Sequence, residues 1–163
     1  MTKVLFGIGS NVERVATIGN AIEQLADIYG DIELSPTFES ESVGFKGDNF
    51  YNLVVAAHTE QSLEEVITSY RVIEDNCGRE RAGPKFGPRK IDIDLLTYGD
   101  LVCQSPIELP RDEILINAYV LWPMALIDPD GRHPINNLSY SELWLNYNNQ
   151  QTLWQIQAPW DKC

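Results

Sequence analysis

The order in which apolar residues change period constrains this chain more than any other feature. Residues 4–8 form a short apolar run closed by Gly9-Ser10-Asn11, which reads as a strand, a turn and a helix whose N-cap falls at Ser10 or Asn11. Val15, Ile18, Ala21, Ile22, Leu25 and Tyr29 then recur at three- and four-residue steps, and Gly30 stands where a glycine cap belongs. Ile32 and Leu34 alternate with acids in a second strand closed by Pro36, while residues 39–49 are polar and glycine-containing and read as a loop. Residues 51–59 are mostly apolar and read as a strand. Ser62 and Glu65 form a capping box opening a helix with Leu63, Val66, Ile67, Tyr70 and Ile73 on one side, and Gly78 ends it. Residues 91–96 alternate as a further strand.

Strand, helix, strand, strand, helix, strand is the split βαβ order, and it predicts an α+β, ferredoxin-like antiparallel sheet with helices packed on one face and additional C-terminal elements. At 163 residues the chain reads as a single domain over 1–163. Residues 101–103 read as a short return strand. Residues 117–127 read as a buried helix that Pro123 kinks or cuts, followed by a stop at Asp128-Pro129-Asp130-Gly131. Ser139 and Glu142 offer a second capping box, and no element is assigned to the last ten residues.

On strand 91–96, Asp92 and Asp94 share one face, about 6.6 Å apart along it at roughly 3.3 Å rise per residue. Two carboxylates so placed can hold a hard cation, although the spacing alone equally describes a solvated strand face. Charge distribution separates the two readings. The chain carries a formal charge of −12, yet five of its 12 Lys and Arg residues, Arg79, Arg81, Lys85, Arg89 and Lys90, fall between residues 79 and 90. Cations concentrated beside paired aspartates predict a polyanion arriving with a divalent metal, and Mg²⁺, which takes one or two carboxylates plus phosphate oxygens, fits best. Net acidity argues against nucleic acid and anionic membranes as partners. Cys77, Cys103 and Cys163 show neither pairing nor zinc spacing, and the first residues lack the apolar stretch of a signal peptide, so a reducing cytoplasm is expected. His58 and His133 stand alone, without a zinc partner at ligand spacing. Gly7-Ile8-Gly9-Ser10-Asn11 lacks the third glycine of a dinucleotide fingerprint and reads as a strand-to-helix turn. Phe50 and Tyr119, taken alone, read as core aromatics.

Taken together, Gly9-Ser10-Asn11, Phe50-Tyr51-Asn52, Glu74 through Arg79 and Arg81, Gly87-Pro88-Arg89 with Asp92 and Asp94, and Tyr119-Val120-Leu121-Trp122-Pro123 resemble the hydroxymethyl-dihydropterin pyrophosphokinase family. The resemblance spans most of the chain. It implies pyrophosphate transfer from ATP to the hydroxymethyl group of 6-hydroxymethyl-7,8-dihydropterin, with AMP released, in tetrahydrofolate biosynthesis. By that similarity Asp92 and Asp94 hold two Mg²⁺ ions, Asp92 also lies near the pterin hydroxyl, and Arg79, Arg81 and Arg89 neutralise the transferring group. Phe50 and Tyr119 stack the pterin, Asn52 pairs with its edge, and backbone groups near Ser40 and Val43 complete the hydrogen bonding. Glu74, Leu95 and Arg111 join the arginines in contacting ATP. Segments 39–49 and 79–90 are expected to close over the substrates, and the chain is expected to act as a monomer. Three positions depart from the family pattern: Phe86 is a mild change from the aromatic usual before Gly87-Pro88-Arg89, and two are larger, Arg111 replacing a phosphate-contacting histidine and Asn117 replacing an arginine. The change at Asn117 leaves open an alternative, a diverged paralogue that binds pterin or nucleotide with weak or no turnover. A nucleotide-sugar transferase also uses paired aspartates, but predicts a larger chain with a parallel sheet.

Overall fold

A computed structural model describes residues 1–41, 48–77 and 91–161. In chain order these form β1 (Thr2–Ser10), α1 (Arg14–Tyr29), β2 (Glu33–Leu34), β3 (Thr37–Ser40), β4 (Phe50–Thr59), α2 (Leu63–Asn76), β5 (Asp92–Tyr98), α3 (Glu113–Ile116), α4 (Ala118–Ile127), α5 (Tyr140–Leu145) and β6 (Leu153–Ile156). The sheet runs β5-β1-β4-β3-β6, with β2 also on β4, and every pairing of these strands is antiparallel. The first four positions are those of the ferredoxin-like arrangement predicted from the periods. No parallel nucleotide-binding sheet is present among the described residues, which removes the sugar-transferase reading.

Helices cover both faces of the sheet, not one as expected. The reason lies in the strands: β1 and β4 are apolar at consecutive positions, so neither face can be left to water. Val4, Phe6, Ile8, Leu53, Val55, Ile93 and Leu95 meet α1 and α2 on one side. On the other, Leu5, Val54, Ala56 and Leu96 meet Ile114, Val120, Leu121, Met124 and Tyr140 from α3, α4 and α5. α4 is apolar all round and continues through Pro123 to Ile127 without ending there. The ring removes only the helical bond to the carbonyl of Tyr119.

Further local expectations need correction. Ser10 belongs to β1, and its hydroxyl accepts from Val12 N–H at 3.3 Å, so α1 starts later, after Glu13 in the left-handed region at φ 45°. Val15 stands 47% exposed in the first turn, where Thr17 takes the buried position. Gly30 caps the helix at φ 77°, as expected, donating to Ala26 O at 2.8 Å. Pro36 interrupts a strand but does not close it, because the Ser35 hydroxyl accepts the Val54 N–H at 2.8 Å and keeps that buried donor satisfied. β3 therefore resumes at Thr37, and Glu39 and Ser40 are strand, not loop. The capping box of Ser62 and Glu65 forms with both bonds present; its expected stop at Gly78 lies outside the described residues. Residues 101–103 yield only an isolated bridge between Cys103 and Leu109. The tail, left unassigned by pattern, supplies β6 along β3.

His133 is 3% exposed, and its Nδ1 accepts from the N–H groups of Ile135 at 3.3 Å and Asn136 at 3.4 Å. Both bonds need the unprotonated nitrogen, and burial holds the imidazole below its ordinary value of 6.5. A group depressed in the fold contributes stability above its unfolded value, which is lost as pH falls through the folded one. Thermal unfolding should therefore occur at lower temperature at pH 5 than at pH 7.5, with a smaller difference in His133→Gln. An equal pH difference in both proteins would refute this role.

Candidate active site

Alternation along β1 sends Leu5, Gly7 and Gly9 to the face that carries α4. Leu5 packs there, but the two glycines contribute no side chain, and the missing volume becomes a cleft of about 280 Å³. Register decides what surrounds it. Gly9 lies between Asn52 of β4 and Asp92 of β5, and Gly7 lies between Val54 and Asp94. A row Asn52–Gly9–Asp92 thus crosses the floor, with Asp94 one step along. Phe50 and Ser40 continue the Asn52 end, while Glu113 and Tyr119 line the cleft from α3 and α4.

The spacing argument for Asp92 and Asp94 is realised: both line the cleft, whereas Ile93 and Leu95 point into the α1/α2 core. β5 is an edge strand, and its outward N–H groups need partners. The 5%-exposed Glu74 of α2 supplies one, its Oε2 accepting from Ile93 N–H at 3.1 Å, between the two aspartates. Glu74 and Leu95, for which the resemblance implies ATP contacts, do not line this cleft. A β-bulge follows, where the pairing shifts between Leu5 and Phe6 of β1 and leaves Leu96 as the extra residue.

Asn52 is 7% exposed and its Nδ2 donates to Ser40 Oγ at 3.0 Å, which fixes the amide beside Gly9. Asp94 pairs with Arg111, Nη2 to Oδ1 at 2.7 Å. Burial, reinforced by the charge of Asp94, raises the Glu113 carboxyl above the ordinary range. Burial and the nearby Glu113, Asp94 and Asp92 likewise raise the Tyr119 phenol, which stays a neutral donor. A negative end facing aromatic rings and an amide is the resulting polarity. Among the described residues no three carboxylate, histidine or cysteine groups converge to hold an ion. Asp92 and Asp94 both line the cleft, and carboxylate oxygens so placed suit Mg²⁺ completed by phosphate and water.

Val43, Arg79, Arg81 and Arg89, with Lys85 and Lys90, lie outside the described residues. Asn117 turns the chain between α3 and α4; its Oδ1 accepts from Gln151 Nε2 at 3.3 Å, and Gln151 Oε1 accepts from Ala118 N–H at 2.7 Å. The side chain that stands where an arginine is usual therefore braces the α3–α4 corner just before Tyr119. Four contributors are not marked by the sequence reading: Gly7, Gly9, Arg14 and Glu113. The parity of Gly7 and Gly9 with Leu5 was available as a signal. Arg14 donates to Asn49 O at 2.9 Å and sits 4.0 Å over the Tyr51 ring, anchoring the start of β4 beside Phe50; neither it nor Glu113 carries a pattern that marks it.

Paired carboxylates stand at one end of the cleft and two aromatic side chains with an amide at the other, on a ferredoxin-like sheet. Residues 5–129 match the model of 7,8-dihydro-6-hydroxymethylpterin-pyrophosphokinase (HPPK), and the chain belongs to that family. It is 34% identical over 138 residues to a 2-amino-4-hydroxy-6-hydroxymethyldihydropteridine pyrophosphokinase of Aquifex aeolicus, covering 83% of this chain and 86% of that one. It is 33% identical to the folic acid synthesis protein fol1 of Pneumocystis carinii, covering 83% of this chain but 19% of that larger one. The fold also resembles a crystal structure of Plasmodium falciparum HPPK-DHPS with pteroate, at TM-score 0.70 and 13% identity, over 90% of this chain and 42% of that one.

Proposed function

We propose that the protein transfers pyrophosphate from ATP to the hydroxymethyl group of 6-hydroxymethyl-7,8-dihydropterin, releasing AMP, in folate biosynthesis. The observation that supports this reading is the row Asn52–Gly9–Asp92, an amide and a carboxylate on either side of a glycine in one cleft. Phe50 and Tyr119 would flank the flat ring, where offset stacking suits a heterocycle. The Asn52 amide offers donor and acceptor capacity to the ring edge, with Ser40 orienting it. This directs the hydroxymethyl oxygen toward Asp92.

Asp92 and Asp94 would hold the Mg²⁺, two ions being proposed, and the metal would supply charge stabilisation at the phosphates. The hydroxymethyl oxygen attacks the β-phosphorus in line and gives up its proton to solvent, the bond from the β-phosphorus to the α,β-bridging oxygen breaks, and AMP leaves with that oxygen. Arg111, with Arg79, Arg81 and Arg89, is proposed to hold the phosphates, and Glu74 and Leu95, with backbone near Val43, belong to the same set of proposed contacts. Positioning does most of the work, since the reactants need only be held aligned. Action as a cytoplasmic monomer completes the proposal; among the described residues no helix is long and apolar enough to cross a membrane.

AMP release with ATP, Mg²⁺ and the pterin alcohol is the direct test. AMP that depends on all three is expected. Folded protein that binds both substrates but releases no AMP above the pterin-free control would overturn the reading in favour of the binding-only paralogue.

A further inference from the structure

Arg111 holds one oxygen of a carboxylate that the metal reading uses. Its Nη2 lies 2.7 Å from Asp94 Oδ1, and its own backbone N–H donates to Leu96 O at 3.0 Å, two residues along the same strand. The guanidinium is therefore tethered to β5 and stays within reach of the carboxylates. It is not fully satisfied there: Arg111 Nε is buried without a hydrogen-bond partner among the described residues. A buried unpartnered donor on a guanidinium calls for an acceptor, and the planar fork matches a phosphate better than a single carboxylate oxygen.

We propose that Arg111 is a tethered counter-ion that holds Asp94 until metal and polyphosphate arrive together, then passes to the phosphates, making metal binding depend on nucleotide. The proposal rests on the magnesium–polyphosphate reading of the cleft. A divalent ion arriving alone competes with the guanidinium for Asp94 and brings it no acceptor in exchange. The same ion arriving with polyphosphate brings the replacement acceptor with it. Arg111 thereby weakens binding of the free ion and strengthens binding of the ion–nucleotide pair, and by linkage the effect is reciprocal. The departure from the usual histidine acquires a function: arginine stays charged at every working pH, so the competition is always present.

Mn²⁺ serves as the probe, its binding to the full chain read by electron paramagnetic resonance with and without α,β-methylene-ATP. Arg111→Gln should bind free Mn²⁺ more tightly, by roughly threefold to tenfold for a part-exposed charge pair, and the tightening produced by the analogue should shrink. Arg111→Lys, which keeps the charge without the fork, should keep the weak free-ion binding and lose part of the analogue effect, and it serves alone if the glutamine variant does not fold. Free Mn²⁺ affinity unchanged or reduced in Arg111→Gln, or a lysine variant equal to wild type in both measurements, overturns the proposal. Asp94→Asn separates the two levels. Mn²⁺ binding lost in that variant upholds the metal reading whatever Arg111 does, and Mn²⁺ binding that survives it overturns the metal reading and the proposal with it.

Discussion

Asp92→Asn and Asp94→Asn should each lower AMP release by roughly a hundredfold to a thousandfold, the scale of losing one preorganised electrostatic group at a reacting phosphate. The amide keeps the shape of the side chain and one oxygen, so what is removed is the negative charge that a divalent ion requires. Stability should change little. The Asp94–Arg111 pair is part-exposed at 37% and 29%, and such pairs contribute about 1 kcal/mol or less. Asp92 and Asp94 serve one clamp, so the double variant should be little worse than the poorer single one. Rates measured at saturating ATP and pterin, together with unfolding midpoints, decide the matter. A loss below about threefold in either single variant, well short of a preorganised group's worth, would remove that carboxylate from the chemistry.

Much of the fold was readable because two periods alternate cleanly along the first part of the chain. α1 and α2 carry helical stripes, β5 alternates, and β1 and β4 are largely apolar runs. Ser62 opens α2 with a full capping box, while Ser139 caps α5 by accepting the Glu142 N–H and donates its hydroxyl to the Glu142 carboxylate. What failed to show was set by distant contacts. Residues of α4 are apolar on every side, so their sequence gives no face and cannot reveal that they cover the second side of the sheet. β6 pairs through backbone along β3, and its Trp154 and Gln155 carry no buried period. The continuity from β2 to β3 depends on one hydroxyl, Ser35, doing the work of a strand amide's partner.

The site divides in the same way. That Asp92 and Asp94 share a face was legible from alternation, because a strand puts every second residue on one face; reading that face as a site needed the basic residues 79–90 beside it. Phe50, Asn52 and Tyr119 were assignable only through family resemblance, since an aromatic or an asparagine in a strand or helix has commoner structural uses. Gly7 and Gly9 read as a turn because glycine signals one. Within β1 they are instead the floor that keeps the cleft open. Arg111 lies 17 positions beyond Asp94, and no periodicity connects the two.

That floor yields a selective test. Gly9 has a strand backbone that any residue can adopt, but a Cβ built there would lie 2.7 Å from Asn52 Oδ1. The amide cannot simply rotate away, because its Nδ2 is held by Ser40 and the side chain is 7% exposed. Gly9→Ala should therefore displace Asn52 from its position toward the pterin edge. Disturbing one or two buried hydrogen bonds, at about 1–3 kcal/mol of lost compensation, corresponds to a rise in pterin KM of roughly tenfold to a hundredfold. The fold should survive, since alanine in a strand interior recovers about 0.5–1 kcal/mol of backbone entropy relative to glycine. ATP-analogue affinity should stay near wild type, because the clash is on the β4 side and the aspartates are on β5. Gly7→Ala provides the contrast: the nearest atoms to its Cβ would be those of the Leu96 side chain, at 3.5 Å and beyond, which is ordinary contact, so its effect on pterin KM should be much smaller. Equal effects at the two glycines, or an ATP-analogue defect in Gly9→Ala as large as the pterin defect, would show that Asn52 does not set the acceptor end of the cleft.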